Sequence, residues 1–388
     1  MYIRKLQSRI TELSTVWSVI SITGPRQSGK TTLCKMAFPK YDYVNLEDVA
    51  LRMAIKSDTK AFLLSHRDGL IIDEAQHLPE VFSAIQVIVD EDKSLRYVLS
   101  GSSDFLLMQS ITQSLAGRVA VERLLPLSIE ELGEIDSVST DELMFSGFFP
   151  GVWGDGKTPH EVYDSYLTTY IERDVRQIVN IKDRSAFLRF VTVCASRIGC
   201  EFNANGIAGE IGVSYKTIQE WMSVLETSYT AFRLYPYYRN VGKRLSKTPK
   251  IYFYDVGLAC FLLGIDNPKQ LNRHPLRGAL FENMVVCDRL KERYNSGGRN
   301  NLYFYRDRSQ HEVDLVQEYA MELRAFEIKS AQSYHIEFSK NLEYFRGVFG
   351  DDVISTSVVY NGDFEVRADF NRLVNYRHLN KVFDSHQK

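Results

Sequence analysis

The chain has 388 residues, 44% of them hydrophobic, and a formal net charge of −2. That length allows two or three folded units with cores of their own, and the apolar content excludes disorder in bulk. The near-neutral balance excludes a general electrostatic attraction to nucleic acid, so any such surface must come from local clustering of Lys and Arg. Five cysteines (Cys34, Cys194, Cys200, Cys260, Cys287) are scattered and never form a C-x-x-C pair, which speaks against a disulfide framework or a zinc site and for a reducing cytoplasm. No apolar run approaches the roughly 18 residues of a membrane span, and Met1–Leu6 lacks the apolar stretch of a secretory signal, so no membrane partner is expected.

From the N-terminus, strand-like apolar runs at 18–22, 42–46, 70–73 and 95–99 alternate with helical patterns, as β–α units around a parallel sheet do. The first run leads into Gly24-Pro25-Arg26-Gln27-Ser28-Gly29-Lys30-Thr31-Thr32, a G-x-x-x-x-G-K-T loop that opens a helix. Glycines there let successive N–H groups turn toward phosphate oxygens, and the helix N-terminus favours negative charge. All nine residues are therefore expected to contact ATP, with Lys30 on the β and γ phosphates and Thr31 on Mg²⁺. The run Leu70-Ile71-Ile72 ends in Asp73-Glu74. Asp73 is expected near the Mg²⁺, and Glu74 where it polarises water in line with the γ-phosphate. The next run ends in Ser100-Gly101-Ser102, where Ser100 or Ser102 would sense the γ-phosphate. Arg118, on the Gly-loosened Leu115–Arg118, is suited to charge on the γ-phosphate oxygens, within the subunit or across an interface. The second case would favour a homo-oligomer, including a ring.

These segments, with Leu125-Pro126-Leu127-Ser128, resemble the AAA-type ATPases of bacteria and archaea that carry a C-terminal domain of uncharacterised function. The resemblance continues through Tyr170–Val175 and Lys250–Leu258. It implies an α/β fold: a P-loop AAA-type ATPase domain over 1–150, a helical and winged-helix domain over 151–272, and a restriction-endonuclease-like α/β domain of the PD-(D/E)xK kind over 273–388. The Gly- and Pro-rich stretch 136–160 reads as a boundary segment.

Beyond it, residues 161–230 carry helical apolar spacing. Asn203–Trp221 reads as a helix, a glycine turn and a second helix capped by Ser214, with Ile218, Trp221, Met222 and Leu225 inward. Tyr215, Lys216 and Gln219 are then expected to face DNA. The strip Arg239–Lys250 holds five basic residues and no acid. On a wing, Lys243, Arg244 and Lys247 would meet phosphates. Strand-like runs return at 250–254, 301–305, 312–316, 324–328 and 355–360.

Asp314 lies in one of these runs, and Glu327 and Lys329 share a face of another. Spacing of that kind arises by chance about once in a chain of this length, so the flanking apolar strands carry the inference. Asp314 and Glu327 would hold Mg²⁺ or Mn²⁺, with Glu282 from a preceding helix completing the shell and Lys329 orienting the attacking water. The motifs together favour ATP hydrolysis coupled to DNA processing. An ATP-switched regulator of DNA or protein without cleavage, and a protein-remodelling ATPase, are the alternatives.

Overall fold

The structure is a computed structural model that describes residues 2–101, 104–154, 156–170, 183–366 and 371–380. Its N-terminal part is built on β1 (Val19–Thr23), β2 (Asp42–Asn45), β3 (Leu70–Asp73), β4 (Tyr97–Ser100) and β5 (Val119–Arg123), in the order β2-β3-β4-β1-β5. All four pairings are parallel. β1, β3 and β4 are buried along their whole length, which explains why they read as unbroken apolar runs. Side chains leave them alternately for two cores. Val19, Leu70, Ile72 and Leu99 pack toward the helix Glu80–Glu91, whereas Ile20, Ile22, Ile71 and Val98 pack toward the helices Leu6–Val16 and Lys30–Ala37. β4 lies between β1 and β3, so its end stands between the phosphate loop and Asp73.

The stretch 136–160, read as a boundary segment, contains folded elements. Helices form over Thr140–Ser146 and Pro150–Gly154, and Leu143, Met144, Phe148 and Phe149 are buried in one core that continues from Leu125 to Leu379. Gly147 is there for space and conformation, not looseness. It has φ 63°, and a Cβ on it would lie 2.0 Å from the Tyr163 hydroxyl.

Helices Arg184–Ser196, Ala204–Ile211 and Tyr215–Thr227 follow. Gly212, with φ 84°, ends the second, and the Ser214 hydroxyl caps the third by accepting from the Thr217 amide. Trp221 anchors that third helix between Phe187 and Phe190. β6 (Ala231–Leu234) and β7 (Lys250–Phe253) pair antiparallel beyond it.

The last sheet has the order β12-β11-β10-β9-β8. β8 (Leu302–Arg306), β9 (Glu312–Tyr319) and β10 (Glu322–Lys329) are antiparallel neighbours; β11 (Val353–Tyr360) and β12 (Asn371–Asn375) join parallel. The helix Arg277–Asn295 packs on β10 within the large core, and Lys340–Phe349 covers a second, smaller core. β5, β6 and β12 are short, and none was expected from the apolar pattern.

Candidate active site

The phosphate loop leaves β1 through Gly24, whose φ is 147° and whose absent Cβ would sit 2.1 Å from the Leu124 carbonyl oxygen. Gly29 (φ 92°) then turns the chain into the helix Lys30–Ala37. Lys30 is buried, and its Nζ donates to the Gly24 and Pro25 carbonyls at 2.8 Å each. Asp73 is equally well supplied. Its Oδ2 accepts from Thr31 Oγ1 at 2.7 Å and the Tyr43 hydroxyl at 3.0 Å, and its Oδ1 from Ser100 Oγ at 2.6 Å and the Glu74 amide at 3.1 Å. Thr31 and Asp73 thus bring two hard oxygens together, a donor pair that suits Mg²⁺.

Arg4 fixes the loop from outside the motif. Its guanidinium donates to the Ser28 carbonyl at 2.7 Å and the Leu125 carbonyl at 2.6 Å, and pairs with Glu131 at 3.1 Å. The loop opens onto a cavity of about 1140 Å³ whose other walls include Tyr2, Pro150, Lys157 and Val162. Tyr2, Arg4 and Tyr43 carry no local signal, because a lone Tyr or Arg in a sequence does not say which distant backbone it reaches. Burial and then the Asp73 carboxylate push the Tyr43 hydroxyl up, so it acts as a donor. Burial pushes the Cys34 thiol, behind the loop, up to about 12, which leaves it inert.

Glu74 follows Asp73 with φ 52°. Ser102 lies outside the described residues, as does Ile171–Val175; of the two serines weighed at the end of β4, Ser100 is the one described, and it donates to Asp73. Arg118 departs from expectation. It precedes β5, where Val119 pairs with the first residue of β1, so it sits about 16 Å of strand away from its own phosphate loop. There its guanidinium grips Asp90 at 2.6 and 2.8 Å. A role on the phosphates of its own chain is ruled out by that placement.

A second centre forms where the helix Arg277–Asn295, β7, β9 and β10 converge. Asp314 Oδ2 accepts from the Ile328 amide at 2.7 Å and lies 3.3 Å from Lys329 Nζ, which also donates to Glu327 Oε1 at 2.7 Å. Glu327 Oε2 is buried with no hydrogen-bond partner. Glu282 accepts from the Tyr252 hydroxyl at 2.5 Å and lies 3.5 Å from Lys250 Nζ. Burial, and then the charge of Asp314, raises the pKa of both Glu282 and Glu327. Burial works against the Lys329 ammonium, but Asp314 and Glu327 outweigh it and hold that group at about 12. Among the described residues no three His, Cys, Asp or Glu side chains form a ready-made metal cage. Lys329 stands between two of the expected ligands instead.

The basic strip is largely spoken for. Arg244 is buried, with its guanidinium on Glu318 at 2.6 and 2.9 Å and over the rings of Tyr237 and Tyr303. It cannot face phosphates, because leaving Glu318 would strand a half-buried carboxylate. Lys250 points inward to Glu312 at 2.6 Å, and Arg239 pairs with Asp352 at 2.6 Å. The segment between β6 and β7 forms the helix Val241–Ser246, leaving Lys243 and Lys247 exposed. Tyr215 and Lys216 are exposed on their helix, with Gln219 half-buried and donating to the Tyr215 hydroxyl at 3.1 Å. No helix among the described residues is long and apolar enough to cross a membrane.

Residues 17–133 match a family model described as an AAA domain. Residues 138–269 and 277–379 match two domains of unknown function, DUF8612 and DUF4143. The uncharacterized proteins Rv2008c of Mycobacterium tuberculosis and Mb2031c of Mycobacterium bovis are each 33% identical over 330 residues, covering 83% of this chain and 72% of theirs. Among solved structures, the Walker-type ATPase PABY2304 of Pyrococcus abyssi is similar over 68% of this chain and 96% of its own, at 15% identity and TM-score 0.46. AMPPCP-bound DnaA from Aquifex aeolicus is similar over 57% of this chain and 86% of its own, at 13% identity and TM-score 0.31. Both structural likenesses are distant. With an AAA domain around its phosphate loop, this chain is a P-loop ATPase of the AAA type and belongs to the family that includes Rv2008c and Mb2031c.

Proposed function

We propose that the chain couples Mg²⁺-dependent ATP hydrolysis to DNA processing at the Asp314 centre. In this reading the nine residues Gly24–Thr32 cradle the phosphates, Lys30 leaves its two loop carbonyls for the γ-phosphate, and Thr31 and Asp73 hold Mg²⁺, which would neutralise phosphate charge. Glu74 accepts a proton from water as its oxygen bonds to the γ-phosphorus and the bond to the ADP oxygen breaks. Arg118 has a place in this scheme only across a subunit interface, in a homo-oligomer.

The observation that carries the DNA-processing reading is the meeting of Glu282, Asp314, Glu327 and Lys329, from three separate elements, in one buried charged centre. An orphaned carboxylate oxygen and two carboxyls with raised pKa suit an oxygen-seeking cation. Mg²⁺ or Mn²⁺ there would supply a Lewis acid; Lys329 would orient the water, and Tyr215, Lys216, Gln219, Lys243 and Lys247 would hold the DNA. The ammonium of Lys329 between Asp314 and Glu327 favours a second reading, an ATP-switched regulator that keeps the fold without cutting.

Labelled single-stranded, duplex and branched DNA, incubated with the full chain, ATP and Mg²⁺ or Mn²⁺, separates the two. Cleavage that disappears in Asp314→Ala and Lys329→Ala, while ATP turnover persists, supports the first. Retained DNA binding without metal-dependent cleavage supports the second, and cleavage undiminished in both variants overturns the assignment of the centre.

A further inference from the structure

We propose that Gln76 is a positioning residue that aims the Glu74 carboxylate, and that Gly101 exists to make room for it. The inference rests on Glu74 being the group that takes the proton from water. Glu74 is held in the left-handed region, φ 52°, and the single turn Ala75–His77 follows at once, closed by the His77 amide on the Glu74 carbonyl at 3.0 Å. That turn carries Gln76 back over Glu74, and Gln76 Nε2 donates to Glu74 Oε2 at 2.5 Å.

The other end of the Gln76 amide is confined as well. Its Oε1 is buried with no hydrogen-bond partner, a cost of about 1–3 kcal/mol that a side chain free to turn outward would avoid. The donor orientation is therefore the one the surroundings impose, since the opposite flip would set a carbonyl oxygen against a carboxylate. What leaves it room is Gly101, next after β4. A Cβ there would lie 2.3 Å from Gln76 Oε1. Gly101 is not among the residues with positive φ, so a left-handed φ does not call for glycine there, and the missing side chain answers to space. Ser100, its neighbour, donates to Asp73. The end of β4 thus serves both acids: Ser100 holds Asp73 directly, and Gly101 holds Glu74 through Gln76.

The Gln76 amide restricts the rotamers open to the Glu74 carboxylate. Misplacing a proton acceptor by about 1 Å costs about 100-fold in rate. Gln76→Met keeps the volume without the donor, Gln76→Asn keeps the amide but shortens its reach, and Gly101→Ala displaces Gln76 while leaving it in place in the sequence. ATP turnover and the affinity for a non-hydrolysable ATP analogue with Mg²⁺ are measured on the full chain. Each variant should lower kcat about 10- to 100-fold with analogue affinity changed by less than about twofold. The double variant Gln76→Met with Gly101→Ala should fall no further than Gln76→Met alone, because both act through one contact. Full turnover in Gln76→Met, a matching loss of analogue affinity, or additive effects in the double variant would each overturn the proposal. Glu74→Gln, run alongside, keeps the two claims apart: if it still turns over ATP, the proton acceptor is misassigned, whereas an inactive Glu74→Gln beside a fully active Gln76→Met removes only the role of Gln76.

Discussion

The two acidic centres of this chain treat charge in opposite ways. Around Asp73 both oxygens meet two donors each, supplied by the helix after the phosphate loop, by β2, by the end of β4 and by the residue after β3. Around Asp314 the carboxylates of Glu282 and Glu327 are crowded in low dielectric, their pKa values are raised, and one oxygen has no donor; the lysines 250 and 329 hold the group together. A satisfied acid is a rigid part, placed in advance for a partner that binds beside it. Acids left short of positive charge depend on whatever cation is close, and their stability follows that cation.

The sharpest way to break the comparison is at the phosphate loop. Lys30→Ala and Glu74→Gln should each cut ATP turnover by about 100-fold or more, read as phosphate release. Next comes Lys329→Met, which removes the cation between Asp314 and Glu327. Breaking a fully buried pair costs about 3–5 kcal/mol; the Lys329 side chain is 31% exposed, so about 1–3 kcal/mol is expected at pH 8, by denaturant unfolding. The loss should shrink at pH 5, because carboxyls with raised pKa take up protons as pH falls and the repulsion disappears. Added Mg²⁺ should raise the melting temperature of this variant more than that of the parent chain.

A smaller contrast lies in the basic strip. Arg244→Ala should cost about 1–3 kcal/mol through the stranded Glu318, whereas Lys243→Ala and Lys247→Ala should stay within about 0.5 kcal/mol. If the strip meets DNA, it is the lysine variants that flatten the salt dependence of binding, measured by titration at several ionic strengths. A contrast in pH dependence is expected at Glu292, whose carboxyl is pushed up to about 7, first by burial and then by Asp288. A raised acid binds its proton more tightly folded than unfolded, so stability is lost as pH climbs from about 4.5 to 7. Glu292→Gln should remove that slope, bringing the unfolding midpoints at pH 5 and pH 8 closer together.

The N-terminal site was legible because its parts are contiguous: Gly24–Thr32 and Asp73-Glu74 are unbroken strings, and β1, β3 and β4 are buried on both faces and so stand out as apolar runs. β5 escaped notice because it alternates and carries Glu122 and Arg123. The stretch 136–160 is a different case. Gly147 there answers to close packing whereas Gly156 has open space around it, and a sequence does not separate the two needs. In the strip Arg239–Lys250, five like charges suggested a phosphate-contacting wing, yet three of them had acids waiting on distant residues: Asp352, Glu318 and Glu312.

The sequence by itself determined the phosphate loop, the strand that ends in two acids, and the helix–turn–helix with its Ser214 cap, because each depends on neighbours within a few residues and on the periodicities of strand and helix. Only the tertiary structure decided where each charge points. It turned Arg244 and Lys250 inward, set Tyr43 on Asp73, tied Arg4 to the loop and drew Glu282 toward Asp314. The reason is physical: a buried charge settles on the partner that compensates its desolvation, and which partner lies within reach is fixed by the pairing and packing of elements far apart in the chain.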